Sequence, residues 1–269
     1  MGMDLPIGVS DFRELREKQL VYVDKTRLIV EMLDHPGSKV LLLPRPRRFG
    51  KTLALSMLRY YFERSDEDLS GLFEGLEVWQ AGEAYRRHFR RYPVMFLTFR
   101  DIKSSTFEGC RDDLHKKIQV LFREHCGLLD SGVLDRIEAR EYQAILDGAA
   151  APIVYHHALG ELSKYLHRAT GERTIILIDE YDEPLRIGFV NGYGSQAIEL
   201  FHTVLGSALK DNSHIERGVV TGVLWVPGSS IFSGLDNLHV HTLLQRSFST
   251  CFGFTELEQP VIARLRDGG

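Results

Sequence analysis

Two short segments of the chain carry residue types that could bind phosphate and a divalent cation. The first, Gly-Lys-Thr at 50–52, follows an apolar run at 40–43 and a basic loop. A lysine and a hydroxyl at the start of a helix suit phosphate, because backbone N–H groups and the helix dipole favour negative charge there. The second, Asp179 and Glu180, follows an apolar run at 174–178. One carboxylate at a strand end can hold Mg²⁺ and the next can orient a water, so together the segments predict a nucleoside-triphosphate site.

The first segment fits most of the phosphate-loop pattern GxxxxGK[ST]. Gly50 lets the backbone approach phosphate without a Cβ, Lys51 would reach the β- and γ-phosphates, and Thr52 would offer its hydroxyl to Mg²⁺. Arg45 stands where the pattern has its first glycine. The alternative is a chance Gly-Lys-Thr that begins an ordinary helix, but the preceding apolar run and the following periodic helix favour the loop. The expected nucleotide-binding residues here are Arg47, Arg48, Phe49, Gly50, Lys51, Thr52 and Leu53.

The second segment supplies the expected metal and water chemistry. Asp179 follows a run of β-branched residues and leucine, so its carboxylate should emerge at a strand end as a Mg²⁺ ligand together with Thr52. Glu180 is the expected catalytic base, with Lys51 as the second catalytic residue, and Asp182 is a competitor for the role of base. The stretch 181–184 has the composition of a loop.

Further residues are candidates for the site, but the sequence does not decide their roles. Thr221 ends an apolar run and is a candidate nucleotide-binding sensor of the γ-phosphate, although threonine is also simply a strand former. Arg186 and Arg217 are candidate transition-state arginines, and the sequence does not choose between them. Phe12, Tyr22 and Asp24 precede the first strand, where a nucleotide base could bind, but packing of the N-terminal arm on the core explains them at least as well.

Composition narrows the class of protein. The 269 residues, with 43% hydrophobic and 26% charged residues, are typical of a soluble globular chain, and a net charge of -4 argues against a chain-wide nucleic-acid-binding surface. No apolar run approaches the roughly 18 residues that span a membrane, and the N-terminus lacks a secretory pattern. Three cysteines without a CxxC pair favour a reducing compartment, so we expect a cytoplasmic protein with no membrane partner.

Alternation of strands and helices predicts the fold. Apolar runs at 39–43, 92–99, 174–178, 218–224 and 240–244 are separated by segments with helical periodicity. This order is typical of an α/β three-layer sandwich with a mostly parallel central sheet, whose ligands bind at the carboxyl ends of the strands. Along the chain, the strand at 92–99 lies between the phosphate-loop unit and the Asp-Glu strand. Insertion of a strand between those two in the sheet, with a glutamate directly after the aspartate, indicates the P-loop NTPase branch that carries a catalytic glutamate. We expect one domain over 1–259 and a short tail over 260–269.

Several blocks of sequence, taken in order, resemble one known family. They are YVDKT at 22–26, RPRRFGKT at 45–52, IDEYD at 178–182, TGVL at 221–224, IFSGLDNL at 231–238 and FGFTE at 252–256. The chain looks like the AAA-ATPase-like family of predicted P-loop ATPases, which tolerates arginine at the first glycine of the phosphate loop. The resemblance implies an ASCE/AAA-like sandwich that binds ATP as its nucleotide, with Mg²⁺ as cofactor.

The resemblance also has consequences for partners and activity. Relatives often continue into a C-terminal nuclease-like domain of the PD-(D/E)XK type, so a nuclease-like partner domain or DNA is expected by family association only. Trp225 and Gly228 stand where relatives tend to carry basic residues. That loss favours an alternative to an ATPase: a nucleotide-binding regulatory switch with little hydrolysis, acting on a nuclease-like or other partner. A nucleotide kinase is weaker, because the Asp-Glu pair is typical of hydrolysis.

Overall fold

A computed structural model of the chain describes residues 6–223, 230–232, 234–256 and 258. The chain divides into two compact units, each described by itself below. The first comprises residues 1–37, 44–91 and 241–269, and the second comprises residues 38–43 and 92–240. The assignment of 1–259 to one domain stays a prediction, and the predicted tail lies outside the described residues.

The first unit is mainly helical. Its helices are α1 (Phe12–Glu17), α2 (Arg27–Asp34), α3 (Lys51–Phe62), α4 (Glu77–Gln80) and α5 (Glu83–Arg86), with a short 3-10 turn at Ser70–Leu72. Asp11 caps α1 by accepting the backbone N–H of Glu14 at 2.8 Å. Phe12, Tyr61, Phe73 and Phe89 form an aromatic core with neighbouring ring centroids 5.1 to 5.6 Å apart. Packing of this kind stabilises short helices that would not persist alone.

The second unit contains the central sheet. Its strands are β1 (Val40–Pro44), β2 (Val94–Thr98), β3 (Thr174–Asp179), β4 (Ile215–Gly222) and β5 (Leu238–Val240). The last residue of β1, Pro44, is counted with the first unit. Among the described residues they form one all-parallel, five-stranded sheet in the order β2-β3-β4-β1-β5. β4 therefore lies between β1 and β3, so a strand is inserted between the phosphate-loop strand and the Asp-Glu strand, as predicted. The inserted strand is β4 and not the strand at 92–99 from which the insertion was inferred, because β2 lies at the edge of the sheet beyond β3.

Helices connect and flank the strands, which confirms the predicted α/β class. They are α6 (Phe107–Glu124), α7 (Arg136–Leu146), α8 (Pro152–Thr170), α9 (Glu183–Val190) and α10 (Gly194–Leu209), with 3-10 turns at Cys126–Leu128 and Ser230–Phe232. Alternate strand residues such as Leu42 and Ile176 join side chains of α6, α8 and α10 in one hydrophobic core. Leu41 and Leu177, on the opposite face, are also fully buried, which explains why the strands read as continuous apolar runs.

Some predictions about local structure were wrong. The segment 181–184 was expected to be a loop, but α9 begins at Glu183, with Asp182 as its N-cap and Pro184 in its first turn. Proline is favoured in a first turn, because its missing N–H would have no helical partner there. Proline is also common in loops, so Pro184 by itself does not distinguish a loop from a helix start. Helices α1, α4 and α5 were also not predicted, and β5 ends at Val240, where the predicted strand began.

Candidate functional site

The carboxyl ends of β3 and β4 bring two of the predicted site residues together. Asp179 is the last residue of β3 and is fully buried, as is Thr221 near the end of β4. The Thr221 hydroxyl donates a hydrogen bond to Asp179 Oδ1 at 2.7 Å. This hydrogen bond joins the two buried side chains and restricts the rotamers that either can adopt. The carboxylate is thereby oriented at the edge of the sheet where α/β proteins bind ligands.

A strained turn follows this pair. Glu180, half-buried, has a positive φ of 55°, a conformation that a residue with a Cβ adopts rarely. Its carbonyl accepts the N–H of Glu183 at 3.2 Å, and the N–H of Tyr181 donates to the carbonyl of Thr221 at 3.2 Å. Left-handed backbone at such a residue costs about 1–2 kcal/mol, and the surrounding hydrogen bonds offset it. The turn therefore fixes the direction in which Glu180 leaves the strand.

Asp182 has a structural task in the same turn. Both of its carboxylate oxygens accept the backbone N–H of Val223, at 3.2 and 3.0 Å. Gly222 makes room for this contact, because a Cβ there would lie 2.4 Å from Asp182 Oδ1 and 2.7 Å from the ring of Tyr181. This use of Asp182 favours Glu180 over its predicted competitor as the base. The need for glycine at 222 was missed, since it depends on which side chains the fold brings to that strand end.

The loop that follows β1 belongs to the first unit and supplies the predicted phosphate-binding residues. Positive φ angles occur at Arg48 (66°) and Gly50 (76°), whereas Arg45, at the position of the usual first glycine, does not need one. Gly50 is the N-cap of α3. Lys51 is only 4% exposed, and its Nζ donates to the carbonyls of Arg45 and Pro46, both at 3.3 Å. The loop thus folds back over the ammonium group at the start of a helix.

The remaining predicted residues of the loop differ in exposure. Arg47 and Arg48 are exposed, while Phe49 and the first-turn residues Thr52 and Leu53 are half-buried. The carbonyl of Phe49 accepts the N–H of Gly253 at 3.1 Å. Exposed arginines at a helix start raise the positive potential where an anion would bind.

The two candidate transition-state arginines have different surroundings. Arg217 lies near the amino end of β4, pairs in register with Ile175, and donates from Nη1 to the carbonyl of Ser38 at 2.9 Å. Burial lowers the pKa of Arg217. Four residues of strand, about 13 Å, separate it from Thr221. Arg186, on α9, forms an ion pair with Glu183 at 2.6 Å.

The aromatic residues considered for base binding take part in packing of the first unit. Phe12 is fully buried, and its ring meets that of Tyr22 edge-on with centroids 5.4 Å apart. Asp24 accepts hydrogen bonds from the N–H and the hydroxyl of Thr26, at 2.8 and 2.7 Å. These contacts are the ones that the packing interpretation requires.

The donor chemistry of the predicted metal residues suits Mg²⁺. A carboxylate oxygen of Asp179 and the hydroxyl of Thr52 are hard oxygen donors, and Mg²⁺ commonly uses one or two protein oxygens, with phosphate and water completing its shell. Within the described ranges, no three His, Cys, Asp or Glu side chains come together as a metal cluster. The action of Asp179, in the second unit, and Thr52, in the first, on one ion is part of the proposal below.

The parallel sheet, the helix-starting Gly-Lys-Thr loop and the strand-end carboxylate define a protein of the P-loop NTPase-like class. More particularly, the chain belongs to the AAA-ATPase-like family, described as predicted AAA-ATPases, whose model matches residues 6–232. The resemblance inferred from the sequence is thus confirmed.

A curated relative gives no further functional information. The chain is 30% identical over 261 residues to an "Uncharacterized protein in vnfD 5'region" of Azotobacter chroococcum mcd 1. The match covers 94% of this chain but 43% of that protein, so the chain spans less than half of the relative's length. No solved structure matches the chain. Of the helices that the structure describes, none has the length and apolar character needed to cross a membrane.

Proposed function

We propose that the chain binds ATP and hydrolyses it in a Mg²⁺-dependent reaction. Lys51 and the backbone N–H groups at the start of α3 bind the phosphates, and Thr52 and Asp179 hold the metal. Glu180 is the base, and Thr221 orients Asp179 and senses the terminal phosphate. When bound, Mg²⁺ would supply positive charge that offsets the charge of the phosphate oxygens.

One observation carries the proposal most directly. The buried carboxylate of Asp179 receives the hydroxyl of Thr221 at 2.7 Å, at the carboxyl ends of two neighbouring parallel strands. The next strand in the sheet, β1, is the one from which the chain passes into the Gly-Lys-Thr loop. Parallel strands point their carboxyl ends the same way, so β3 and β4 present Asp179 and Thr221 at the edge of the sheet where α/β proteins bind ligands.

The proposed chemistry assigns a task to each side chain. The oxygen of a water attacks the terminal phosphorus, and the bond from that phosphorus to the bridging oxygen of ADP breaks. Glu180 accepts the proton that the water loses. The ammonium of Lys51 stabilises negative charge on the phosphate oxygens, and a fixed Glu180 backbone limits the directions from which the base can reach the water.

Two substitutions test these roles. Lys51→Ala removes the buried ammonium and should weaken binding of fluorescently labelled ATP about tenfold or more, measured by titration with and without Mg²⁺. Glu180→Gln should keep the affinity for ATP and lose phosphate release, since the amide cannot accept the proton. Unchanged affinity in the lysine variant would refute the assignment of the loop, and equal turnover in the glutamine variant would refute the base.

A nucleotide-dependent switch with little hydrolysis is the second candidate. It is favoured by Trp225 and Gly228, at positions where the resemblance to the family implies basic residues. Both residues lie outside the described residues. We propose that such a switch would act on a nuclease-like or other partner. Tight ATP binding without phosphate release in the wild-type protein would select it over the ATPase, whereas release that depends on Glu180 would exclude it.

A further inference from the structure

Arg45 is buried where the phosphate-loop pattern has a glycine. The side chain is fully buried, and its guanidinium donates to three carbonyls: Nη1 to Pro44 at 2.8 Å and His241 at 2.7 Å, and Nη2 to Phe248 at 2.8 Å. The guanidinium carbon also lies 4.8 Å from the ring centroid of Phe252. Burial of a guanidinium is costly unless such partners compensate it.

Apart from the neighbouring Pro44, the residues that contact this guanidinium belong to one stretch of the first unit, residues 241–256, which we call the strap. The strap has two further attachments. The N–H of Gly253 donates to the carbonyl of Phe49 at 3.1 Å, and Lys25 Nζ donates to the carbonyl of Thr250 at 3.0 Å. Just beyond the strap, Glu258 forms an ion pair with the same lysine at 2.8 Å. The strap is therefore bound to the phosphate loop at both Arg45 and Phe49.

The backbone of Arg45 has its own contact in the loop. Its carbonyl and that of Pro46 accept the hydrogen bonds from Lys51 Nζ. One residue thus links two parts of the unit, since its main chain contacts the phosphate-binding lysine and its side chain is held by the strap. In the usual pattern the first glycine allows backbone conformations, such as a positive φ, that other residues adopt rarely. Here φ at residue 45 is not positive, so the loop does not require that freedom.

We propose that Arg45 is a positioning residue that fixes the conformation of the phosphate loop by anchoring it to the strap, so that nucleotide affinity depends on the strap. This inference rests on the proposed function only for its statement about nucleotide. An anchored loop loses less conformational entropy when it binds a ligand than a free one does. Loss of the guanidinium would remove its hydrogen bonds to the carbonyls of His241 and Phe248 and release the loop.

The anchoring is tested first without any nucleotide. Arg45→Met keeps most of the side-chain volume and removes all the donors. Amide hydrogen exchange in residues 46–53 should accelerate about tenfold or more in this variant. Arg217→Met is the matched control, because it also removes a buried arginine that donates to a carbonyl, but in the second unit. Acceleration in residues 46–53 that is equal in both variants, or absent in Arg45→Met, would overturn the proposal.

Nucleotide titrations test the consequence for affinity. Arg45→Met should weaken ATP binding about tenfold or more, and Arg45→Lys, which keeps the charge but loses the planar fork, should lie between it and the wild type. If the methionine variant does not fold, the lysine variant alone decides: wild-type affinity and exchange would overturn the proposal. Gly253→Ala perturbs the strap side, because its Cβ would lie 2.7 Å from the ring of Phe49, and it should also weaken binding.

The two proposals can fail separately. A wild-type protein that binds no ATP contradicts the proposed function, while the exchange experiment still decides whether Arg45 positions the loop. Conversely, tight ATP binding by Gly253→Ala and Arg45→Met, both folded, would contradict the dependence of affinity on the strap and leave the ATP site intact.

Discussion

At the scale of single residues, Thr221 serves two contacts at the end of β4. Its carbonyl accepts the N–H of Tyr181 at 3.2 Å, and its hydroxyl donates to Asp179 at 2.7 Å. The first contact belongs to the backbone and would survive any substitution that keeps the strand. The second belongs to the side chain alone, so its contribution can be measured separately.

Thr221→Val should therefore isolate the hydroxyl. Valine has nearly the same shape and favours strands, but it leaves one oxygen of a buried carboxylate without this donor. We expect the free energy of unfolding to fall by about 1–3 kcal/mol, measured by urea denaturation at pH 7. Thr221→Ser keeps the hydroxyl donor, so its free energy of unfolding should fall by less than that of Thr221→Val. A valine variant as stable as the serine variant would show that the hydrogen bond contributes little.

The positions of the candidate site residues at strand ends could be predicted from the sequence, but some of their hydrogen-bond partners could not. Asp179 and Thr221 could be predicted because each follows an apolar run that must be a strand. The anchoring of Arg45 could not, since its acceptors His241 and Phe248 are 196 and 203 residues away along the chain. No local pattern specifies a contact at that separation. Arg45 therefore looked like a defect in a glycine pattern.

At the scale of elements, α8 and α10 approach each other at a glycine. A Cβ on Gly160 of α8 would lie 2.7 Å from the carbonyl oxygen of Ser207 on α10. The hydroxyl of Ser207 in turn donates to the carbonyl of His156 at 2.7 Å. Backbone atoms cannot move aside as the end of a flexible side chain can, so an added methyl must push the helices apart. Side chains of these two helices share one hydrophobic core with those of β3 and β4.

Gly160→Ala should destabilise the protein, and Gly206→Ala is its control. Both glycines lie inside helices, but nothing lies within 4 Å of a Cβ added at Gly206. Alanine there should raise the free energy of unfolding by about 0.5–1 kcal/mol through helix propensity. At Gly160 the overpacking should lower it by about 1–3 kcal/mol despite the same gain. Chemical denaturation of both variants measures whether the free energy of unfolding rises or falls. Stabilisation by Gly160→Ala would contradict the close approach of α8 and α10.

The elements themselves were predictable to different degrees. The central strands were predicted within a few residues, because strands buried on both faces leave continuous apolar runs. Helix α9 was missed, since Asp182 and Pro184 are equally typical of turns and of helix starts, and only the residues that follow decide between them. The strand order could be inferred only in part. The position of β4 between β1 and β3 depends on contacts between distant parts of the chain.

At the scale of the whole molecule, a falling pH should destabilise the protein first by protonation of a half-buried histidine. Protonation of a well-paired carboxylate should destabilise it only at lower pH. The ring of His115 stacks on that of Tyr155, with centroids 3.8 Å apart and planes 7° apart. Burial, with the nearby charge of Arg111, lowers the pKa of His115 to about 4. By contrast, hydrogen bonds from Arg168 lower the pKa of Glu138 to about 2. The two groups therefore respond to acid in different pH ranges.

The sign of the histidine effect follows from proton linkage. The unfolded chain binds a proton at His115 near its ordinary pKa of 6.5, whereas the folded chain binds it only near pH 4. Between these values the unfolded state holds more protons, so the free energy of unfolding falls as the pH drops through this range. Above pH 6.5 neither state is protonated and the effect vanishes. For Glu138 the stabilisation is present above pH 4.5 and is lost only as the pH falls towards 2.

His115→Phe should make the protein less sensitive to mild acid. Phenylalanine keeps an aromatic ring against Tyr155 but cannot take up a proton. Relative to pH 7, urea denaturation at pH 4.5 should show a smaller loss of stability than in the wild type, by about 1–2 kcal/mol. Glu138 contributes little to the loss of stability at pH 4.5, because its own stabilising effect is lost only at lower pH. His157→Gln, at an exposed position of α8, should retain the wild-type loss. Equal losses in the wild type and the phenylalanine variant would exclude His115 as the origin of the acid response.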